Sequence, residues 1–264
     1  CSEAREDKDK PRQVNWRIYA KRSILCAGAI ERSIAFGNND RPGIMLASAV
    51  RSYANRFAVA TGDKVSVYTN NDDGWNTARD LVLKNIRVVA VIDSRSIKPV
   101  LRVPGAEIFM GTNVVDTKGR KALKSIKLSN GKTIDTDCLG VSGGWNPNLH
   151  LTCHHRGIPK WNEEIASFIP DESNPPGMSV AGRAKGTMVL SDAIIEGHNV
   201  GSSVALDLGY SVKKIDPAET PSVSYSVTAN WGVPSGKNRA WVDLQNDVTA
   251  KDIKLANQEG FKSV

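Results

Sequence analysis

Residues 64–93 read KVSVYTNNDDGWNTARDLVLKNIRVVAVID, and they carry the clearest structural signal in the chain. A run of β-forming residues ends at Thr69, and a second, almost wholly apolar run ends at Asp93. Between them, a polar turn precedes apolar residues at helical spacing, namely Trp75, Ala78, Leu81 and Val82. Apolar runs of this kind are typical of parallel strands covered on both faces, so the stretch predicts a β–α–β unit.

The turn after the first strand argues against a nucleotide at this position. A β–α–β unit that ends in an acidic residue has the outline of a dinucleotide-binding unit, whose Gly-x-Gly-x-x-Gly fingerprint lets the backbone approach a pyrophosphate. Here residues 69–74 read TNNDDG, with one glycine and two carboxylates. Asp72 and Asp73 are candidate helix caps, and they would repel a phosphate. We therefore expect a Rossmann-like scaffold that holds no nucleotide at this turn.

Length and composition indicate a protein with a substantial core and no special polymeric partner. The chain has 264 residues and a formal net charge of +7. Its basic residues are interleaved with acidic ones, which disfavours nucleic-acid binding. No apolar run approaches the roughly 18 residues of a membrane helix, and no secretory signal is visible at the start. These features predict a cytoplasmic protein that does not associate with membranes.

The four cysteines favour the same reducing compartment. None of them forms a Cys-x-x-Cys pair. Cys26 and Cys138 lie in apolar runs, so we expect both to be buried free thiols. Free thiols are typical of cytoplasmic proteins, where disulfides are rare.

Further elements follow from local patterns. Residues 23–26 predict a short buried strand, and residues 107–141 predict a β-meander in which 107–115 form one strand. Asn130-Gly131 is a strong hairpin signal. A long amphipathic helix is expected to turn one apolar row inward, namely Leu190, Ile194, Gly197, Val200, Val204 and Leu208.

Three turns of small residues follow predicted strands, and they are the best candidates for cofactor contact. They are CAGA at 26–29, SGG at 142–144 and AGRAKG at 181–186. Small residues let the backbone pack closely against a cofactor or against a neighbouring strand, and the sequence leaves both interpretations open. The third turn opens a helix, whose free N–H groups can face an anion.

The chain lacks the usual catalytic signatures. A zinc site is one interpretation of the group His150, Cys153, His154 and His155, but its spacing matches no structural zinc motif, so loop histidines are favoured and no metal is expected. There is no Gly-x-Ser-x-Gly, no His-Glu-x-x-His and no Walker loop, which leaves hydrolase and NTPase functions without support.

Several strings, taken together and in order, resemble one family. They are AGAIER at 27–32, NDRPGIMLA at 39–47, VSGGWNP at 141–147, VAG at 180–182 and VDLQNDVT at 242–249, with EGF at 259–261. They are similar to the α subunit of heterotetrameric sarcosine oxidase over nearly the whole chain. The SGGWNP and QNDVT strings are the most specific of the set.

The resemblance implies an α/β fold of the flavoprotein type with two Rossmann-like dinucleotide-binding domains. An outer domain would comprise residues 1–47 and 137–215 and be interrupted by an inner domain at 48–136. A linker would follow at residues 216–240, and residues 241–264 would be the start of a C-terminal helical segment. The chain would be a middle fragment with an incomplete outer domain, lacking the first β–α–β unit and the folate-binding domain.

The resemblance also implies a function as an oxidoreductase subunit. The complex would demethylate sarcosine to glycine, forming H2O2 and passing a one-carbon unit to tetrahydrofolate. FAD and FMN would belong to a flavin-bearing β subunit and its interface, with smaller subunits completing the heterotetramer, and this chain would hold NAD and no catalytic residue. The NAD site would involve the first and third small-residue turns together with Arg32, and its residues would be Ala27, Gly28, Ala29, Arg32, Gly182, Arg183, Ala184 and Gly186.

Two departures from the family pattern bear on the cofactor. The common Ala-Thr-Gly is Cys26-Ala27-Gly28 in this chain, and Arg183 stands where flavin-binding relatives place an aspartate. The second departure disfavours FAD here, and a basic residue at this position would suit a phosphate. Related opine-oxidising chains hold an iron–sulfur cluster near their C-terminal segment, but residues 230–264 contain no cysteine, so no cluster is expected.

Three alternatives remain open at this level. The chain could be a non-catalytic scaffold with a vestigial nucleotide fold, or it could serve a related opine or N-methyl amino acid oxidising flavoenzyme. A third alternative is an NAD(P)H-dependent flavoprotein reductase, which would need a nucleotide at the central β–α–β unit and Arg95 as a ligand.

Overall fold

The computed structural model describes residues 2–4, 9, 11, 13–97, 102–171, 173–213, 216, 220, 224–234 and 236–262. Cys1 and parts of the predicted linker lie outside these residues. The strands within them are β1 (Ser2–Ala4), β2 (Gln13–Asn15), β3 (Ser23–Leu25), β4 (Ala29–Glu31), β5 (Ile44–Leu46), β6 (Val65–Thr69), β7 (Val88–Asp93), β8 (Glu107–Met110), β9 (Val114–Lys118), β10 (Ser125–Leu128), β11 (Thr133–Asp135), β12 (Cys138–Ser142), β13 (Trp145–Pro147), β14 (Lys160–Asn162), β15 (Ser167–Ile169), β16 (Met178–Val180), β17 (Trp241–Asp243) and β18 (Val248–Thr249). The α-helices are α1 (Ala47–Phe57), α2 (Asp72–Leu83), α3 (Leu190–Asp207) and α4 (Ala250–Gln258), and short 3₁₀ turns span His150–Cys153 and Gly182–Ala184.

A five-stranded parallel sheet forms the centre of the described chain. Its strand order is β5-β12-β6-β7-β8, and every neighbouring pair is parallel. The predicted β–α–β unit is confirmed as β6, α2 and β7. The α/β, Rossmann-like fold class is confirmed with it. The residue that caps α2 is neither predicted aspartate: the side chain of Asn71 accepts from the backbone N–H of Asp73.

Both faces of this sheet are covered, as the apolar runs predict. On one face, Val67 and Val91 pack with Trp75 of α2 and Val50 of α1. On the other face, alternate residues of the same strands, such as Tyr68, pack against the meander β9–β10–β11, which contributes Val114, Ile126, Leu128 and Ile134. The result is three layers, with helices, parallel sheet and meander in that order.

The meander is present, but its first strand was predicted wrongly. Residues 107–115 do not form one strand, because the chain turns at Gly111, whose φ is +59°. The part before the turn is β8 at the edge of the parallel sheet, and the part after it is β9 of the meander. The Asn130-Gly131 hairpin between β10 and β11 is confirmed, with Gly131 at φ +88°.

The strand at residues 23–26 is exposed, which corrects the prediction that it is buried. β3 pairs in parallel with β16 in a sheet of two strands within the described residues, and Ile24 is 41% exposed. Two strands cannot shield their own faces, so Cys26 at the end of β3 is also exposed. Cys138, in the middle of the five-stranded sheet, is buried as predicted.

The inward row predicted for α3 is not buried either. The helix forms over Leu190–Asp207 and is followed by Gly209 at φ +84°, but none of its residues is buried. Leu190 is 64% exposed and Leu208 40%. The helix packs mainly on the Gly182–Ala184 turn, so its apolar row lacks a cover in the described part of the chain.

The domain boundaries remain predictions. The sheet that holds the central unit also contains β5 and β12, which lie outside the predicted inner domain of residues 48–136. No helix in the described residues is both long enough and apolar enough to cross a membrane.

The contrast between the two thiols gives a direct test of these layers. Under native conditions we expect iodoacetamide to label Cys26 at least tenfold faster than Cys138, because a buried thiol must wait for local opening. Burial also raises the pKa of the Cys138 thiol, which lowers its thiolate fraction further. Peptide mass spectrometry of this 264-residue chain measures both rates. If Cys138 were labelled as fast in the native protein as in urea, the buried position of β12 would be contradicted.

Candidate functional site

The carboxyl ends of the parallel strands meet at one edge of the sheet, where ligands bind in open α/β folds. The residues there are polar and almost fully buried, namely Thr69, Asn70, Asn71, Asp72, Asp93, Arg95 and Ser142. The single glycine of the first turn serves packing at this edge. A Cβ on Gly74 would lie 2.4 Å from the side chain of Thr69, so only glycine fits. The structure gives no sign that this glycine makes room for a phosphate.

Both terminal nitrogens of the Arg95 guanidinium form internal ion pairs at this edge. Its Nη1 lies 2.8 Å from Asp72 Oδ1 and its Nη2 lies 2.7 Å from Asp93 Oδ2. All three side chains are at most 4% exposed. The indole Nε1 of Trp75 donates to the same Asp93 Oδ2 at 2.7 Å. Buried charges that are paired and hydrogen-bonded in this way are structural, so Arg95 is not available to a nucleotide phosphate.

A segment that was predicted to be a linker covers the same edge. We call residues 224–234 the covering segment. The carbonyl of Ser226 accepts from the backbone N–H of Asp72 at 3.1 Å and from Arg95 at 2.8 Å, and the Ser226 N–H donates to Asp72 Oδ2 at 2.7 Å. Thr228 pairs with both the backbone and the side chain of Asn70. The N-terminus of α2, where a phosphate would bind, is therefore occupied by the chain itself.

The far end of the covering segment is also fixed. Ala35 donates to the carbonyl of Trp231 at 2.9 Å and accepts from Val233 at 2.8 Å, forming a parallel bridge around Gly232. The segment thus connects the edge of the parallel sheet to the chain at Ala35, between β4 and β5. Its polar composition resembles that of a linker, but its backbone is hydrogen-bonded at both ends.

Glu31 occupies the second helix N-terminus at this edge. Its Oε2 accepts from the backbone N–H of Ser48 in α1 at 2.7 Å, and its Oε1 accepts from Ser142 Oγ at 2.6 Å. Burial raises the pKa of Glu31 above its ordinary value, although the hydrogen bonds from Ser142 and Ser48 oppose the rise. Both helix N-termini that face this edge are therefore closed by groups of the chain.

The raised pKa of Glu31 predicts a pH dependence of stability. Because the folded protein keeps this proton at a pH where the unfolded chain has lost it, folding stability should fall as the pH rises from about 4.5, the ordinary value, through the raised pKa. Glu31→Gln should remove this component, and the exposed Glu163→Gln should not. Hydrogen exchange of β12 amides across pH 4 to 8 measures it. An unchanged slope in Glu31→Gln would contradict the assignment.

The two turns assigned to NAD, at residues 26–29 and 181–186, are neighbours in the structure. We call them the first turn and the second turn. β3 and β16 are parallel, and the N–H of Ala181 donates to the carbonyl of Leu25 at 3.0 Å, so both strands end at the same edge. Gly28 and Gly182 have positive φ angles of +72° and +69°. A Cβ on Gly28 would meet nothing within 4 Å, and one on Gly182 would only just reach Ala193. The backbone of both turns is thus open to approach.

The charged groups around the second turn already have partners. The N–H of Gly182 donates to Glu196 Oε2 at 2.7 Å, and Lys185 pairs with the same carboxylate. Arg183 pairs with Asp73 at 3.0 Å, and its guanidinium lies 4.5 Å from the centroid of the Trp145 ring. Ala184 is buried, and Gly186, at φ +103°, packs against Ile169. These two residues therefore hold the turn against the protein interior.

Arg32 makes its hydrogen bonds away from the two turns. Its Nε donates to the carbonyl of Gly143 at 2.7 Å and its Nη1 to Asn146 Oδ1 at 2.7 Å. An indirect link to the second turn exists through Tyr225 of the covering segment. Burial raises the pKa of Tyr225, Asp73 adds to the rise, and Arg32 and Arg183 oppose it. The sequence strings placed Arg32 and Arg183 in one site, and the structure places both within electrostatic reach of one hydroxyl.

An aromatic cavity of about 460 Å³ lies beside Arg32. No local sequence signal joins its tryptophans, because Trp161, Trp231 and Trp241 lie far apart along the chain. Its aromatic side chains come from the β14–β15 hairpin, the covering segment and β17, and are Trp161, Phe168, Trp231 and Trp241. Its polar side chains are Arg32, Ser33, Asn146 and Ser167. The histidine group at 150–155 is not part of it, and the described residues hold no group of three or more metal-ligating side chains.

Solved structures share the fold. L-Proline dehydrogenase from P. horikoshii superposes with a TM-score of 0.65 at 20% identity, covering 92% of this chain and 46% of that one. An FAD-dependent pyridine nucleotide-disulphide oxidoreductase from Desulfovibrio vulgaris gives a TM-score of 0.53 at 15% identity, covering 99% of this chain and 67% of that one. At these identities the comparison shows the architecture alone. It agrees with the α/β, Rossmann-like fold expected from the sequence.

Sequence comparison identifies the family. Residues 237–264 match the family described as the sarcosine oxidase A3 domain. The chain is 38% identical over 254 residues to the sarcosine oxidase subunit alpha of Rhizobium meliloti (strain 1021), covering 94% of this chain and 26% of that protein. The corresponding subunit of Corynebacterium sp. (strain P-1) is 33% identical over 96% of this chain and 28% of its own length. The chain belongs to the sarcosine oxidase alpha subunit family and spans about a quarter of the length of these relatives.

Proposed function

We propose that this chain is the NAD-binding part of the α subunit of a sarcosine oxidase-type complex. The complex demethylates sarcosine oxidatively to glycine, with H2O2 as a product and a one-carbon unit passed to tetrahydrofolate. FAD and FMN belong to the β subunit and its interface with this chain, and this chain supplies no catalytic residue. The names of the relatives support the reaction, and the location in the cytoplasm remains a prediction.

The observation that carries the NAD site is the pair of open turns at one edge of β3 and β16. Gly28 and Gly182 have left-handed backbones, and a Cβ on either would meet no atom closer than 4.0 Å, which suits the close approach of a dinucleotide backbone. Ala27 and Ala29 flank the first turn, and Ala184 and Gly186 support the second. Arg183 offers its guanidinium after exchanging Asp73 for a phosphate, and the family resemblance adds Arg32 to the proposed site. When bound, NAD supplies a nicotinamide ring that accepts hydride.

In this proposal no nucleotide binds at the carboxyl ends of the five parallel strands. Ser226 occupies the N-terminus of α2, Glu31 occupies that of α1, and Arg95 is paired with two buried carboxylates. These contacts argue against the NAD(P)H-dependent reductase alternative, which needs Arg95 as a ligand. They favour a purely structural role for the central unit of β6, α2 and β7, and they do not bear on the two open turns. A relative that oxidises an opine or another N-methyl amino acid would share all of these features.

A matched pair of glycine variants tests the NAD site. We expect Gly182→Val to reduce the NAD content of the purified full-length subunit to about a tenth or less, since the branched side chain obstructs the turn and strains it. Gly131→Val is the control, because Gly131 has a similar φ of +88° and open space around it but lies in the β10–β11 hairpin. NAD released by acid is quantified by chromatography. Equal losses in both variants would contradict the site.

The reaction itself is tested on the assembled complex. Sarcosine-dependent H2O2 production is expected, with N-methyl amino acids and opines as comparison substrates. Peroxide production from an opine but not from sarcosine would move the assignment to the related flavoenzymes. The absence of any amine-dependent peroxide would favour the scaffold alternative.

A further inference from the structure

The aromatic cavity beside Arg32 has the composition of a ligand site rather than of an ordinary core. Three indoles and a phenyl ring line a space of about 460 Å³, within the usual range for small-molecule pockets. Phe168 and Trp231 are each 52% exposed, so the walls are reachable from solvent. The walls come from five separate parts of the chain, including Trp241 of the segment that matches the A3 domain. The cavity therefore forms only when these separate parts of the chain are folded together.

Arg32 is the single charged side chain on the walls of this cavity, and the described residues give it no carboxylate partner. Its two hydrogen bonds go to neutral oxygens, those of Gly143 and Asn146. Its Nη2 is buried and has no hydrogen-bond partner in the described structure. Burial lowers the pKa of Arg32, as expected for a cation without a paired anion. A half-buried guanidinium in this state favours an external anion, because a buried charge is normally paired.

The shape and charge of the walls define the ligand class. The Trp161 ring is inclined at 72° to Phe168 and at 44° to Trp231, with ring centroids 5.2 and 6.0 Å apart, so the rings form an apolar wall of several faces. The guanidinium of Arg32 lies 5.8 Å from the centroid of Trp231 and connects the charge to this wall. Among the described residues no aspartate or glutamate lines the cavity, so nothing there offsets the repulsion between Arg32 and a cationic ligand. One guanidinium balances a monoanion rather than a multiply charged phosphate.

We propose that this cavity binds a small aromatic carboxylate, with its ring against Trp161, Phe168 and Trp231 and its carboxylate facing Arg32. The aromatic wall is separate from the two open turns assigned to NAD, and Arg32 is the one residue that belongs to both proposed sites. Ser33, Asn146 and Ser167 add neutral polar groups that can hydrogen-bond the ligand.

The test uses two probes of one shape and different charge on the full-length subunit assembled with its partners. Isothermal titration calorimetry should show indole-3-acetate binding at least tenfold tighter than its neutral amide, indole-3-acetamide, because a hydrogen bond to a charged group adds this much. Arg32→Gln should remove the preference for the carboxylate. Phe168→Leu should weaken both probes about equally, and Arg120→Gln, at an exposed position outside the cavity, should change neither.

The NAD content of the same variants separates this proposal from the proposed function. Loss of probe binding in Phe168→Leu with unchanged NAD assigns the probe to the cavity. Equal affinity for acid and amide, probe binding that survives both Arg32→Gln and Phe168→Leu, or no binding of indole-3-acetate at millimolar concentration would each overturn the proposal.

Discussion

Replacing Arg95 with alanine is expected to lower the free energy of unfolding of the parallel sheet by about 3–5 kcal/mol. The side chain is buried between Asp72 and Asp93, and its removal leaves two carboxylates in a site without solvent. It also removes the donor to the Ser226 carbonyl, so the covering segment should exchange its amide hydrogens faster. Hydrogen exchange of residues 65–93 and 224–234 in the full-length subunit measures both effects.

Two variants control this experiment. Arg120→Ala removes an exposed arginine and should change the free energy of unfolding by less than about 0.5 kcal/mol. Arg95→Lys keeps a charge but not the planar fork that bonds both carboxylates, so we expect a loss between those of the other two variants. If Arg95→Ala instead leaves exchange unchanged and creates or abolishes NADPH binding, Arg95 faces a ligand and the structural assignment is wrong.

Replacing Trp75 with alanine should have a loss of similar size, about 3–5 kcal/mol, because it empties the largest fully buried side chain in the molecule's described core. It also leaves Asp93 Oδ2 without the indole donor at 2.7 Å. Urea unfolding followed by exchange at α2 and β6 measures the loss. Trp241→Ala is the matched control, since Trp241 lies on the cavity wall outside this core.

Trp75→Phe separates packing from hydrogen bonding. Phenylalanine keeps most of the apolar contact but donates nothing to Asp93, so we expect a smaller loss of about 1–3 kcal/mol. Since Trp75 and Arg95 share Asp93, the double variant should lose less than the sum of the single losses. Strict additivity would indicate that Asp93 does not couple the two side chains.

Local patterns were sufficient to predict the central unit. In residues 64–93 the β runs, the polar turn and the helical spacing all agree, and both strands are buried on both faces by elements nearby. The hairpin at Gly131 was predictable for the same reason, since its signal is the adjacent pair Asn130 and Gly131.

What covers an apolar row is not encoded locally. The periodicity of residues 190–208 identifies one face of a helix, and the run at 23–25 identifies a strand, but neither pattern specifies the partner. In the described structure β3 has one neighbouring strand and α3 rests mainly on a short turn. Both elements are therefore exposed where burial was expected.

The closed edge of the sheet depends on contacts between distant residues. Ser226 and Asp72 are 154 positions apart, and the polar composition of the covering segment is that of a linker. The two aspartates after β6 are the one local sign that a phosphate is not the partner there. Similarly, Trp161 and Trp231 meet only after folding, so the aromatic cavity could not be predicted from spacing.

The identity of the nucleotide held by the full-length subunit, expressed without its partners, tests the account most directly. The protein is denatured, and the released compounds are separated by chromatography and identified by absorbance. We expect stoichiometric NAD and no flavin, because the open turns at Gly28 and Gly182 hold a dinucleotide and Arg183 disfavours FAD. Release of flavin would make this chain itself the redox subunit and contradict that reading of Arg183, and release of no nucleotide would leave the chain as a scaffold.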